Sequence, residues 1–378
     1  MKTRLGLLTF HASYNCGSML QTYAMQQYLT KKGFDIEVID FSTQGQKELY
    51  SVFSRNSTLK LFLRNIVIFF HRKRIARNYE KYEEFKGNRF HLTQKKTHNW
   101  KDIDVSNYDA LIVGSDQVWN TTIIDYDIAY FLPWNDIYKI AYAPSFGAKN
   151  PIKYSKSIDE IKQLMLDFNA LSSRENNGKK WIKELTKKDV PVVLDPTLLL
   201  DETDYENIIA NDISIPEKYI FYYSPTYSLK LNRFVKQIAR KLGLPVIAFN
   251  SKSFYLRAMN FNGFKLPDYE NPESYLRLMK NAELVITTSF HGTVFSTVFR
   301  KKFWVIKNGG MYGDDDRVAT LLSELELNER LIEPRFDDSF NYMTEVSYTD
   351  YTKRLRELRE VSEKFLLTSL EKLNERAK

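Results

Sequence analysis

RLGLLTF (4–10), HASYNCGS (11–18), LQTYAMQQYLTKKG (20–33) and DIEVIDF (35–41) follow one another at the start of the chain. The first run is short and apolar, which is the pattern of a buried strand. After the polar loop, apolar residues recur at helical spacing and end at Gly33, a helix stop. The last run is a second strand. Strand, loop, helix and strand make a βαβ unit, and a right-handed crossover makes its strands parallel. The natural reading is an α/β layered domain.

The pattern recurs downstream. YDALIVGSDQVWN (108–120), IYKIAYAPSFGA (137–148), FNALSSRENNG (168–178) and VPVVLDPTLLL (190–200) read as further strands, with a helix through about Met165 and a short one after Gly178. Each apolar run ends in a small or polar cluster, such as Gly114-Ser115-Asp116, Ser173-Arg174-Glu175 or Asp195-Pro196-Thr197. Ligands of open α/β sheets bind outside the carboxyl ends of the strands, so these loops and HASYNCGS are expected to line one crevice. A polar stretch at 205–217 separates this set from a second one: KYIFYYS (218–224), LPVIAFN (244–250), ELVITTSFHG (283–292) and FWVI (303–306), with helices near 229–242, 272–281 and up to about 300. The organisation expected is therefore residues 1–210, residues 211–345, and a long helix within 346–378 that packs back on the body.

Composition sets limits. The chain has 378 residues, 43% hydrophobic and 27% charged, with one cysteine, which excludes collagen-like, disulfide-stapled and disordered classes. Cys16 has no partner for a disulfide or a structural zinc site, so a reducing, cytoplasmic compartment is expected. MKTRLGLLTF reads as no export signal. The net charge of +8 suits an anionic partner such as phosphate, an acidic metabolite or an anionic membrane. Nucleic acid is not the partner expected, because outside 72–77 the basic residues are interspersed with acidic ones.

Residues 54–90 read as a helical excursion. Its apolar core LKLFLRNIVIFF (59–70) is shorter than the ~20 residues that span a bilayer and contains Lys60 and Arg64. Two readings of 59–77 stand: a helix packed on the domain with a solvated basic face, or a basic amphipathic helix touching the membrane surface. Exposure of its apolar face decides between them.

His291 is the foremost candidate for chemistry. It lies in Thr287-Thr288-Ser289-Phe290-His291-Gly292, where a strand ends and a helix begins, and helix N-termini favour anions. A histidine there can move a proton to a bound anion. Asp116, with Gln117, Trp119 and Asn120, combines hydrogen-bonding groups with a flat aromatic, which suits a sugar, although an N-capping Asp over a buried Trp reads equally well. Arg174 and Arg317 are candidate anion contacts. Asp314, Asp315 and Asp316 read as a solvated loop and not a metal site, since adjacent side chains do not converge on one ion. His11 and Asn15, candidate acceptor contacts, lie in the first loop, which lacks GxGxxG, and there is no GxxxxGK[ST], HExxH or GxSxG.

SYNCGSMLQTYAMQQYL (13–29), DALIVGSDQVWN (109–120), Ser173-Arg174-Glu175, DPTLLL (195–200) and ITTSFHGTVFSTVF (286–299) together resemble the polysaccharide pyruvyl transferase family, over about residues 5–330. The resemblance implies two Rossmann-like domains facing a cleft in a GT-B-like arrangement, with the acceptor on the first domain and the donor on the second. It implies phosphoenolpyruvate as donor, sugar hydroxyls of a polysaccharide or lipid-linked precursor as acceptor, a pyruvate ketal as product, and no cofactor or metal. His291 matches the donor-site histidine, flanked by Ser289 and Gly292. Family members resemble one another in an arginine two residues before that histidine, where this chain has Ser289. Either Arg174 or Arg317 then replaces the missing cation, or the donor differs. Two other classes stand beside this one: a nucleotide-sugar glycosyltransferase of the same architecture, and a non-catalytic glycan- or nucleic-acid-binding protein.

Overall fold

In a computed structural model, residues 2–55, 57–308 and 315–376 are described. The first half runs β1 (Arg4–Leu8), α1 (Cys16–Lys31), β2 (Asp35–Val38), α2 (Gln44–Leu49), α3 (Leu59–Arg89), β3 (Ala110–Val113), β4 (Tyr138–Ala141), α4 (Pro151–Tyr154), α5 (Ile158–Leu166), β5 (Ala170–Leu171), α6 (Asn176–Thr186) and α7 (Glu202–Glu206). The second half runs β6 (Ile220–Tyr223), α8 (Leu229–Leu242), β7 (Val246–Ala248), α9 (Ser251–Leu256), α10 (Pro272–Asn281), β8 (Leu284–Thr287), α11 (Phe290–Val298), β9 (Phe303–Ile306), α12 (Arg317–Glu324), β10 (Leu331–Ile332) and α13 (Thr349–Arg376). The link between the halves, 207–219, contains no helix or strand.

Each half is one parallel sheet, ordered β2-β1-β3-β4-β5 and β10-β9-β8-β6-β7. β1 pairs with both β2 and β3 in register Leu5↔Ile36 and Leu5↔Ala110, which realises the βαβ unit read from residues 4–41. The strand expected at VPVVLDPTLLL does not form. Pro191 has no N–H to give to a ladder, so the run contributes a single bridge, Ser173 to Val192, and then a 3₁₀ turn at Pro196–Leu198.

α1 is buried on almost every side, because it lies between its own sheet and the second half of the chain. Inside, the Gln21 amide donates to the Thr9 hydroxyl (2.8 Å) and the Ser18 carbonyl (3.0 Å). The stop is the one read from sequence, since Gly33 has φ +91 and the Phe34 N–H closes on the Leu29 carbonyl. α3 crosses to the second half, where Asn78 bonds Ser251 (2.9 Å), Arg89 bonds Glu273 (2.7 Å), and His71 stacks on Tyr255 at 3.4 Å. α13 returns to the first half, where the Ser362 hydroxyl accepts from the Leu194 N–H (2.9 Å) and Arg359 donates to the Leu200 carbonyl (2.7 Å).

Candidate active site

Two helix N-termini from opposite halves meet where the sheets face each other. On one side β8 ends at Thr287 and Ser289 caps α11, its hydroxyl accepting from the Gly292 N–H at 3.3 Å. A Cβ at Gly292 would collide with the Thr287 hydroxyl that accepts from the Ser289 N–H, so only glycine closes this turn. His291 is the second residue of α11. On the other side Asn15 caps α1 by accepting from the N–H groups of Gly17 (2.9 Å) and Ser18 (3.4 Å). A Cβ at Gly17 would collide with the His291 ring, so the imidazole lies on bare backbone at the start of α1. The aligned peptide dipoles and unpaired N–H groups of both termini favour negative charge here.

Beside His291 lies a buried charged cluster built on Asp195. One Asp195 oxygen accepts from the Thr197 N–H (3.0 Å) and hydroxyl (2.6 Å). The other accepts from the Ser115 hydroxyl (2.7 Å) and from Arg174 (2.9 Å), and faces His291 Nε2 at 3.5 Å. Burial pushes the Asp195 carboxyl up, but His291, Arg174 and the Thr197 hydroxyl outweigh it and hold the group well below the usual carboxylate range. Burial also pushes Glu175 up, to about 7, against the pull of Arg174 and Arg317. Three buried polar atoms in this cluster have only long contacts: His291 Nε2 stands 3.5 Å from Asp195, and Arg174 Nε and Glu175 Oε2 face each other at 3.9 Å. These long contacts leave the cluster loosely paired in an interior where close hydrogen bonds are the rule. The Arg174 guanidinium also lies 4.3 Å over the Phe290 ring, beside Ser289.

Asp116 completes the junction. It holds φ +79, a left-handed conformation that costs a residue other than glycine about 1–3 kcal/mol. The Ser18 hydroxyl donates to one of its oxygens, and its own neighbour, the Gln117 N–H, donates to the other (2.8 Å). Ser18 thus ties Asp116 to the helix start on which His291 rests.

Other candidates fall elsewhere. Trp119 is no sugar platform: it is fully buried, stacks on Phe131 at 5.0 Å and donates its indole N–H to the Tyr130 carbonyl (2.8 Å). His11 is equally buried, with both ring nitrogens engaged, by Asp40 (3.0 Å) and the Thr9 carbonyl (3.2 Å). Gln117 and Asn120 bond each other (3.1 Å), and Asn120 also caps its own turn through Thr122. Arg317 is clamped by both oxygens of Asp315, at 2.7 Å each. Asp314 lies outside the described residues. Asp315 and Asp316 are not solvated as expected, since Asp316 accepts from the Asn177 N–H (2.9 Å) and from Thr320 (3.1 Å), docking α6 onto α12. Cys16 is buried, 3.1 Å from the Tyr82 hydroxyl, and burial pushes its thiol up, away from reactivity.

Sequence reasoning did not place Gly17, Ser18, Ser115, Glu175 or Asp195 in the site. The available signal was their position in the strand-end clusters and the first loop.

Two parallel-sheet α/β halves that face each other define a GT-B-like fold. The chain belongs to the polysaccharide pyruvyl transferase family, whose model matches residues 15–310, from the cap of α1 to just past β9. In fold it is similar to a UDP-N-acetylglucosamine 2-epimerase (10% identity, TM-score 0.50, covering 97% of this chain and 95% of that one). It is also similar to the UDP-GlcNAc 2-epimerase from Neisseria meningitidis bound to UDP-GlcNAc (10% identity, TM-score 0.47, covering 97% and 100%). A third similar structure is the E. coli heptosyltransferase WaaC with ADP (9% identity, TM-score 0.40, covering 94% and 100%). No curated protein matches the chain.

Proposed function

We propose that the protein transfers pyruvate from phosphoenolpyruvate to two hydroxyls of one sugar on a polysaccharide or lipid-linked precursor, as in capsule or cell-wall synthesis, forming a cyclic ketal. Family membership supplies the class, and the buried cluster of His291, Arg174, Glu175 and Asp195 between two helix starts carries the reading for this chain. Phosphoenolpyruvate has a carboxylate and a phosphate on one enol carbon. Protonating its methylene group makes that carbon electrophilic, so a sugar hydroxyl adds to it. The C–O bond to phosphate then breaks, and a second hydroxyl of the same sugar closes the ketal. Of the two hydroxyl protons, one is balanced by the new methyl C–H and the other leaves with phosphate. The balance closes with donor and acceptor alone, so no cofactor enters the proposal.

In this reading His291 is the acid and Asp195 stabilises its charged form. Arg174, over the Phe290 ring, and the α11 N-terminus hold the donor anion, so that Arg174 supplies the cation that Ser289 does not. Asp116 anchors the acceptor or accepts its proton. In a thermal-shift screen, phosphoenolpyruvate is expected to raise the melting temperature, by the mass-action stabilisation that binding the folded state supplies. A shift with UDP-GlcNAc and none with phosphoenolpyruvate would transfer the site to glycosyl transfer.

The reading includes a peripheral contact of α3 with the inner face of the cytoplasmic membrane. No described helix is long and apolar enough to cross a membrane. Yet Phe62, Leu63, Ile66, Phe69 and Phe70 are exposed along the first half of α3, with Phe70 at 75%, and Lys73 and Arg77 are exposed just beyond. An exposed apolar stripe beside cations suits an anionic lipid surface. Sedimentation with phosphatidylglycerol-containing vesicles is expected to carry the protein down, and Phe62→Glu with Phe70→Glu to leave it in the supernatant. Failure to sediment with any vesicle removes the membrane contact and leaves the transfer reading intact.

A further inference from the structure

The start of α1 has a second neighbour. A cavity of about 580 Å³ opens on the side away from His291, walled by Tyr14, Asn15 and Cys16, by α3, and by α9 with the loops around it. Its size suits a ligand of one or two sugar rings with a charged group. Neither Arg174, Asp195 nor His291 lines it. Asn15 and Cys16 face this cavity, while Gly17 touches His291 and Ser18 bonds Asp116, so four successive residues join it to the reaction centre.

Two features of the wall point to an occupant. Tyr14 lies at 4.5 Å from Tyr79 and 5.3 Å from Tyr50, measured between ring centroids, and these rings offer the flat apolar surface that Trp119 does not. Lys60 and Arg64 on α3 meet Lys252 and Arg257 from the second half, and among the described residues none of the four is in an ion pair. Lys252 Nζ has only the Ser51 carbonyl at 2.7 Å. Burial, and after it the Arg64 charge, push that ammonium down to about 8. The carboxylate in the wall, Glu270, does not answer them. It is turned to the Ser251 N–H (2.9 Å) and hydroxyl (3.1 Å), and burial pushes it up towards the neutral form.

We propose that Lys60, Arg64, Lys252 and Arg257 form a second anion site, apart from the donor centre, that holds the phosphate or diphosphate on which the acceptor sugar is carried. This inference rests on the transfer reading for the identity of the acceptor. Four cations without carboxylate partners repel one another until an anion enters, and phosphate oxygens accept from several of them at once. The carrier is either a nucleoside or a lipid, and both present the same phosphate chemistry.

Calorimetric titration of the full-length protein with inorganic diphosphate is the test. Binding is expected, with at least a tenfold loss of affinity in Arg64→Gln/Lys252→Gln and no displacement by saturating phosphoenolpyruvate. Lys60→Gln/Arg257→Gln, which changes two exposed side chains, is expected to weaken binding in the same direction and guards against a folding defect in the first variant. No binding to the wild type, equal binding to both variants, or displacement by phosphoenolpyruvate overturns the second site. Diphosphate binding without a phosphoenolpyruvate thermal shift keeps the site and sinks the donor reading. Farnesyl diphosphate and UDP then identify the carrier: tighter farnesyl diphosphate assigns a lipid, tighter UDP a nucleoside, and binding of neither overturns the proposal.

Discussion

His291→Ala is expected to lower phosphate release from phosphoenolpyruvate by about 10³-fold, within the ~10²–10⁴ that a positioned acid or base contributes. The ring is held between the bare backbone of Gly17 and the Asp195 carboxylate, and its Nε2 is buried. That nitrogen meets Asp195 only at 3.5 Å, whereas both ring nitrogens of His11 are held closely, at 3.0 and 3.2 Å. Because the variant deletes the proton carrier and leaves Arg174 and the helix starts in place, the loss should fall on kcat more than on KM for phosphoenolpyruvate. Near-normal turnover in a folded His291→Ala protein would remove His291 from the chemistry. A rise in KM with kcat unchanged would make it a binding group only.

Much of this arrangement was legible from local pattern. Residues 4–41 specify a parallel βαβ unit because an apolar strand, a polar loop, a helical repeat and Gly33 agree with one another, and the register of β1 with β2 follows. Thr287–Gly292 likewise announces a strand end and a helix cap. Asp195 shows where such reading stops. Its sequence neighbours account for one oxygen, through the Thr197 cap, while the other meets Ser115, Arg174 and His291, which lie 80, 21 and 96 positions away and in two different sheets' loops. Convergence of that kind is set by how the halves dock, which no local period encodes. Trp119 failed for a related reason: whether a strand-end indole faces in or out depends on a carbonyl partner, and Tyr130 supplies one from a turn 11 residues on. The apolar run at 190–200 shows the converse, where two prolines overrode a strand-like composition.

Asp195→Ala should give the largest loss of stability. The carboxylate is fully enclosed and is the shared partner of Arg174, Ser115 and Thr197, with His291 at ion-pair distance. Removing it strands a buried guanidinium, and breaking a buried pair from one side typically costs about 3–5 kcal/mol, which for a chain of this size is a fall in melting temperature of roughly 4–6 °C. The pH dependence separates this from a simple cavity. Asp195 titrates below its unfolded value, so its contribution is fully present above about pH 4 and is lost only as pH falls through the folded value. The gap between wild type and Asp195→Ala should therefore be flat from pH 5 to 8 and narrow below about 4. Glu175 runs the other way. Its carboxyl is raised to about 7 from 4.5, so the fold favours its protonated form, and the wild type should lose stability relative to Glu175→Gln as pH climbs from about 4.5 to 7, then level off. Melting curves of the three proteins across that range decide the matter. A gap for Asp195→Ala that widens in acid would mean that the carboxylate is not held by its cations, and a Glu175→Gln difference without slope would mean that Glu175 is ionised throughout.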